Sequence, residues 1–486
     1  MRCFYAGWCL SGLLASAAVA SESPRWDAPA LVTDGDADPL PSRDALSPAQ
    51  EKILWDEIRH NVAALRSLQL ALPDIAQTVT YNFPLRVEPG LPDYAGFRIS
   101  AFSDHNAAVG TSQVLDYNGG NRTYDGHRGT DIALYPFSWN KVDSGDMQVI
   151  AAAAGTIAYK DDTDASDHNC NVASADPWNY IGVVHSDGRL TLYGHMRHNS
   201  LTAKGVGQAV AQGDYLGTAA SSGNSSGPHL HFEVRTGGFT SNEWVDPYAG
   251  PSSQAASLWT NQRPYLDSAI NRLATHSSPP STPDPCLPTV TNLQDSFTTN
   301  QNIYFYAYYR DFQGALPTQL TLYRPDGSVY QTWSYSNATT FSSAWSAAWV
   351  QNLPAGSPAG TWRFAADYNG QSYGTFFNVN APTALTLVSP NGGEQWNLLQ
   401  PHAVTWTDNF GGDVNIDLYR NNVFVARLAS NTASDGAYAW APAAGLAPGT
   451  GYSVRITSVI APTLQDSSDA VFSLGDTIYA DGFDTP

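Results

Sequence analysis

The chain is poor in charge, and the charge it has is mostly of one sign. Only 14% of its 486 residues are charged, with 24 Lys and Arg against 44 Asp and Glu, a formal balance of −20. No basic tract interrupts this acidity. A phosphate backbone therefore has nothing to bind, and nucleic acid is not expected as a partner. The acidity favours solubility and gives no attraction to an anionic wall. Cysteine is also scarce, with four in all. Cys3 and Cys9 fall within the first twenty residues, leaving Cys170 and Cys286. Neither has a neighbouring thiol, which argues against a cysteine zinc site. They could form one disulfide in an oxidising compartment or stay as two thiols. No His-Glu-x-x-His signature is present, so the helical zinc-protease plan built on that motif is excluded. Beyond the first twenty residues no apolar run is long enough to span a membrane.

Aromatics (12%), 40 glycines and 31 prolines are plentiful. With so few charges, this composition suits exported β-rich domains. The length predicts about three domains. Met1–Ala20 has a basic start at Arg2, a mostly apolar run from Cys3 to Ala15, and small residues Ala18-Val19-Ala20 before Ser21. It reads as a signal peptide, so a secreted or cell-surface location is expected.

The chemistry is concentrated in Gly227-Pro228-His229-Leu230-His231-Phe232-Glu233-Val234. In a strand, His229, His231, Glu233 and Arg235 share one face, and Leu230, Phe232 and Val234 share the other. One strand would then present two imidazoles beside a packed core. Upstream, Asp125-Gly126-His127-Arg128-Gly129-Thr130-Asp131 carries a His and an Asp four apart. Arg189-Leu190-Thr191-Leu192-Tyr193-Gly194-His195-Met196 alternates like a strand and delivers His195 at its end. A catalytic zinc takes three protein ligands and leaves one open position. Four histidines and one carboxylate supply that set with two imidazoles left over for proton transfer.

Over residues 80 to 250 these segments resemble the lysostaphin-type (LytM-like) zinc endopeptidases that cut peptidoglycan peptides. The resemblance rests on His127 and Asp131, on Tyr193-Gly194-His195-Met196, and on Ser226 to Val234. Val149 to Ile157, Gln212 to Gly217, and Val245-Asp246-Pro247-Tyr248 support it, all in family order. It implies zinc ligation by His127, Asp131 and His231, and a catalytic pair of His195 and His229. His229 is assigned here as the water-side base and His195 as the oxyanion-side group, although the sequence does not separate these two roles. The stretch from Lys160 to Asn179 is longer and more acidic than the family minimum and would alter one wall of the groove. Its Asp161, Asp162, Asp164 and Asp167 read as a solvated loop, since the spacing lacks the glycine and terminal glutamate of a calcium hand.

The expected fold is mainly β: an antiparallel-sheet zinc peptidase domain with an N-terminal helical segment, followed by two β-sandwich, immunoglobulin-like modules. Its parts are a signal peptide (1–20), an extended and helical pro-like segment (21–75), the zinc endopeptidase domain (76–250) and a helix with a Pro/Ser/Thr linker (251–288). Sandwich modules at 289–380 and 381–475 and a tail (476–486) follow. Ser47, as a cap before Pro48, opens a helix whose apolar residues run from Ile53 through Leu68 to Leu72, and Pro73 stops it. It is read as a buttress or a plain pro-segment in preference to a specific inhibitor. A second helix is expected over Gln254–Thr275. In the last two modules, Leu322-Tyr323-Arg324 and Leu418-Tyr419-Arg420 occupy similar strand ends, and Gly360-Thr361 and Gly449-Thr450 each precede a late strand. Trp333, Tyr335, Trp345, Trp349 and Trp362 are read as core in preference to a sugar platform. Ser389 to Trp396, Val404-Thr405-Trp406, Tyr438-Ala439-Trp440 and Asp466 to Asp469 resemble the Kre9/KNH-type immunoglobulin-like domain of secreted surface proteins. Gly475 to Asp484 is similar to a short terminal motif of exported bacterial proteins.

The expectation is thus a monomeric, exported zinc metalloendopeptidase acting on bacterial peptidoglycan peptides. Two alternatives stand: an extracellular protease on Gly-rich proteins, and a non-catalytic wall-binding or activator protein.

Overall fold

The computed structural model describes residues 30–34, 48–67, 78–106, 113–171, 178–240, 243–338, 342–354, 356–381, 383–410 and 412–475. The expected signal peptide, Ser47, Leu68, Leu72, Pro73 and the tail after Gly475 lie outside the described residues. Strands dominate, and two α-helices are present among the described residues. No helix among them is long and apolar enough to cross a membrane.

The chain divides into two compact units. The first comprises the described residues up to Gln294, with Asn302–Gln351 and Arg363–Phe376. In chain order it begins with strand β1 (Ala30–Asp34), helix α1 (Pro48–Ser67), β2 (Leu85–Val87), β3 (Phe97–Ala101) and β4 (Thr130–Leu134). Helix α2 (Ser138–Ser144), β5 (Met147–Ile150), β6 (Gly155–Asp161), β7 (Tyr180–Val184) and β8 (Leu190–Gly194) follow. Then come β9 (Ala209–Val210), β10 (Tyr215–Thr218), β11 (His229–Arg235) and β12 (Ala269–His276). A seven-stranded sheet runs β3-β4-β11-β8-β7-β6-β9, and a three-stranded sheet runs β10-β5-β2. Leu230, Phe232 and Val234 point into the core with Ile132, Leu134, Ile181, Val183 and Tyr193. The period-2 reading of β11 is correct on that side.

Helix α1 packs Leu54, Trp55, Ile58, Val62 and Leu65 against Tyr159, Trp178, Tyr180 and Leu192 of the large sheet and its loops. These positions recur at helical spacing on one face. The helix is built into the first unit as a buttress.

The expected helix over Gln254–Thr275 is absent. Residues 251–268 are turns and irregular chain, and β12 occupies the rest. β12 pairs antiparallel with Asn302–Phe312, Ala269 facing Arg310 and His276 facing Tyr304. All but one of its residues are buried. A register shift between Ile270 and Arg272 breaks the alternation, and Ile270, Leu273 and Ala274 mimic helical spacing. The following Pro/Ser/Thr stretch is tied down by a disulfide between Cys286 and Cys170.

The segments that follow include β13 (Ser296–Thr298), β14 (Asn302–Phe312), β15 (Thr318–Tyr323), β16 (Val329–Tyr335), β17 (Ser342–Asn352), β18 (Gly360–Tyr368) and β19 (Gln371–Asn380). β14 and β17 complete a four-stranded sheet β1-β17-β14-β12. β15 pairs with β16 and with Arg363–Asp367 of β18. Trp333, Tyr335, Trp349 and Trp362 are buried, as a core role requires, and Trp345 is half-buried.

The second unit comprises Asp295–Gln301, Asn352–Trp362 and the described residues from Phe377 on. There β13 pairs in parallel with the end of β19. One three-stranded sheet joins Leu385–Ser389, His402–Asp408 and Ala437–Trp440, and a larger one is centred on Asp413–Arg420 and Gly449–Ser458. Trp396, Trp406 and Trp440 fill their shared core. Leu322-Tyr323 and Leu418-Tyr419-Arg420 both close a strand before a hairpin turn, as the repeat predicts. Gly360 and Gly449 both open the strand that pairs back onto it.

Candidate metal centre

The strand register brings the site together. β11 lies between β4 and β8, with His231 opposite Asp131 on one side and Gly194 on the other. His195 follows β8 directly, in a left-handed backbone conformation with φ 60°. His127 sits on the turn before β4, where the Gly126 N–H donates to Asp104 Oδ2 at 3.0 Å. All five side chains assigned from the sequence meet in one place, and all are buried.

Ligand-type atoms of His127, Asp131 and His231 lie within 4.8 Å of one another, the one such cluster of three or more among the described residues. Asp131 Oδ1 is 3.1 Å from His127 Nε2 and 2.9 Å from His231 Nδ1. The opposite ring nitrogens are anchored elsewhere. His127 Nδ1 donates to the Phe102 carbonyl at 2.6 Å, and His231 Nε2 donates to Glu233 Oε1 at 3.0 Å. In the neutral rings these anchors leave His127 Nε2 and His231 Nδ1 as the lone-pair atoms. Two imidazole lone pairs thus face a carboxylate oxygen, an arrangement that calls for a cation among them. Two imidazoles and one carboxylate fit zinc, and anchored ring N–H groups are the usual support of zinc-bound histidine.

His195 and His229 lie beside this set, ring centroids 4.4 Å apart. His195 Nδ1 donates to Ser222 O at 2.6 Å, and His229 Nδ1 to Gly227 O at 2.8 Å. Each carbonyl fixes the tautomer, so Nε2 is the basic nitrogen of both rings. His229 Nε2 is 3.6 Å from Asp131 Oδ1.

The sequence reading missed two contributors. The Tyr124 hydroxyl donates to Asp131 Oδ2 at 3.0 Å, and its ring stacks on His127 with centroids 4.2 Å apart. Trp178 lies edge-on to His195 at 4.9 Å and contacts the His231 ring at 5.8 Å. Two glycines make room: a Cβ at Gly194 would stand 2.0 Å from the Trp178 ring, and one at Gly129 would stand 2.7 Å from His231. Tyr124 belongs to no periodic pattern, and Trp178 lies in the inserted stretch; only its adjacency to the family core hinted at a role.

The solvated-loop reading of the acidic insertion fails at Asp164, which is 5% exposed. Its Oδ2 accepts the Gly223 N–H at 2.6 Å and its Oδ1 that of Ser166 at 2.9 Å. It thereby fixes the loop that supplies the Ser222 carbonyl to His195. Glu233 and Arg235 are also buried, on the face of β11 covered by α1. Burial alone would raise the Glu233 pKa. The Arg235 charge and the His231 hydrogen bond outweigh it and hold the carboxyl at about 2.

Residues 125–247 match the model of Peptidase family M23, and residues 389–468 match that of the Kre9/KNH-like N-terminal Ig-like domain. Among solved structures, the chain is similar to the catalytic domain of the antimicrobial peptidase lysostaphin from Staphylococcus simulans. The two are 23% identical over 30% of this chain and 85% of that one, with a TM-score of 0.19. The fibronectin(III)-like modules of Clostridium thermocellum CbhA match at 14% identity over 40% of this chain and 95% of theirs, with a TM-score of 0.15. Titin domains I67–I69 match at 9% identity over 38% of this chain and 63% of theirs, with a TM-score of 0.23. The segment that carries the five-residue site matches a peptidase family, and the terminal module matches an Ig-like domain.

Proposed function

We propose that this chain is an exported zinc endopeptidase that hydrolyses peptide bonds in the stem peptide or cross-bridge of bacterial peptidoglycan, glycine-rich bridges among them. The observation that carries the reading is the convergence of His127 Nε2, His231 Nδ1 and Asp131 Oδ1 beside two further imidazoles of fixed tautomer. His127, Asp131 and His231 would hold the metal. When bound, a zinc ion acidifies water towards neutral pKa and polarises a carbonyl.

The chain's own groups do the rest. Neutral His229, with its Nδ1–H held by Gly227 O, presents Nε2 as a general base for the attacking water. His195, held at Nδ1 by Ser222 O, takes up at Nε2 the proton that His229 removed from water; as the imidazolium it faces the oxyanion side and passes that proton to the leaving amine. Tyr124 binds the second oxygen of Asp131 and keeps the first turned towards the two ligand rings. Trp178 shields His195 and His231 from water, which strengthens the polar contacts beneath it. Export is supported by the signal-like first twenty residues and by the Cys170–Cys286 disulfide, which suits an oxidising compartment. The sandwich modules would hold the enzyme near its target or serve as spacers.

The test is mass spectrometry of products from purified peptidoglycan treated with zinc-loaded protein, with and without chelator. The protein should lack only residues 1–20, because α1 belongs to the first unit. Chelator-sensitive fragments with new amino termini are expected. An intact wall alongside cleavage of Gly-rich soluble peptides would move the substrate to extracellular proteins. Sedimentation with wall and no new amine ends would make the chain a binding protein.

A further inference from the structure

Helix α1 reaches the metal centre through a continuous chain of side chains. Trp55 is buried on its inner face. The Arg235 guanidinium lies 4.5 Å from the Trp55 ring centroid. Arg235 Nε donates to Glu233 Oε2 at 2.6 Å, and one terminal nitrogen reaches Thr240 O at 3.3 Å. Glu233 Oε1 accepts the His231 Nε2 proton at 3.0 Å. One turn earlier on the same helix, Glu51 pairs with Arg128, the residue after His127.

We propose that Trp55 and Arg235 are positioning residues for His231, so that α1 is a working part of the metal centre and not a removable cover. The proposal rests on the reading of His231 as a zinc ligand. The backbone of β11 fixes the root of His231 but leaves its ring free to rotate. Rotation is stopped at Nε2 by Glu233, whose carboxylate has torsions of its own. Glu233 is stopped by Arg235, and the long Arg235 stem is stopped by the face of Trp55. A guanidinium over an indole is a favourable pair, more so when removed from water. Without α1 this polar face of β11 would meet solvent, and each link would compete with water.

The experiment measures zinc affinity by competition with a chelating dye, on the chain lacking only residues 1–20. Support of this kind is typically worth 10–100-fold in metal affinity. Trp55→Ala is expected to bind zinc roughly tenfold more weakly, while Trp55→Phe, which keeps an aromatic face, is expected to restore most of the loss. Arg235→Lys keeps the charge and loses the planar fork, and should weaken binding as Trp55→Ala does. Leu65→Ala is the control for helix stability. Leu65 is buried in the same cluster, about 15 Å along the helix from Trp55. It should lower the unfolding midpoint and leave zinc affinity unchanged. Wild-type affinity in both Trp55→Ala and Arg235→Lys would overturn the proposal and leave the ligand assignment standing. Equal loss in Leu65→Ala would also overturn it, in favour of plain destabilisation. Failure of the unaltered chain to take up zinc would overturn the ligand assignment and the proposal together.

Discussion

At the scale of single residues, the two histidines of β11 sit two positions apart on one face yet take opposite anchoring. His231 is held through Nε2 and turns Nδ1 to Asp131, whereas His229 is held through Nδ1 and turns Nε2 inward. On the proposed function His231 is a ligand and His229 a base. His231→Ala should lose both zinc and activity. His229→Ala should keep zinc and lose about 10²–10⁴-fold in turnover, the usual range for a positioned proton-transfer group. Zinc content per chain, measured beside hydrolysis of a wall peptide, checks both. Full activity in His229→Ala would remove it from the chemistry. Four histidines and one aspartate were legible in sequence because three short motifs in fixed order carry them. Tyr124 and Trp178 were not, because they reach the site through a turn and an insertion, where no periodicity points a side chain. Asp164 was hidden for a similar reason: a run of aspartates looks solvated until one of them is found accepting backbone N–H groups in the interior.

At the scale of elements, alternation made a strand readable and burial did not decide it: every residue of β11 is buried, and all but one of β12. β11 alternates, and its reading was correct. β12 has a register shift between Ile270 and Arg272, so its residues carry no regular period of two and were taken for helix. Burial in β12 has a consequence at its last residue. His276 donates from Nδ1 to Thr291 O at 2.6 Å and receives the Tyr308 hydroxyl at Nε2 at 3.2 Å. Burial pushes its pKa down from 6.5 to about 4, helped by the Arg272 charge and partly opposed by the Thr291 contact. The unfolded chain therefore binds this proton more readily than the folded one. Stability is complete above the unfolded pKa and falls as the pH drops from 6.5 towards 4, by about 3 kcal/mol in all from this group. Urea denaturation across that window should show the decline. His276→Gln should flatten it while costing stability at neutral pH. An unchanged slope in that variant would place the pH dependence elsewhere.

At the scale of the whole molecule, the division into two units does not follow the contiguous blocks that composition suggests. Residues 289–380 read as one module in sequence, yet Asn302–Gln351 belongs to the first unit and Phe377 onward to the second. Long-range strand pairing decides such allegiance, and it leaves no local mark. The disulfide has the same character. Cys170 and Cys286 are 116 positions apart, and nothing in the sequence places them side by side. The bridge ties the inserted stretch, which leads to Trp178 over the site, to the segment beyond β12. Closing a loop of this length restricts the unfolded chain more than a short bridge would. Loss of a native bridge typically costs about 2–5 kcal/mol. Cys170→Ser with Cys286→Ser should therefore lower the urea midpoint of the transition that reports the first unit. Reductant should bring the unaltered chain to that same midpoint and leave the double variant where it is. Export into an oxidising compartment would then be a condition of the full stability of the unit that carries the candidate metal centre. If the oxidised chain and the double variant unfold together, the bridge adds nothing to that unit, and the case for export falls back on the first twenty residues alone.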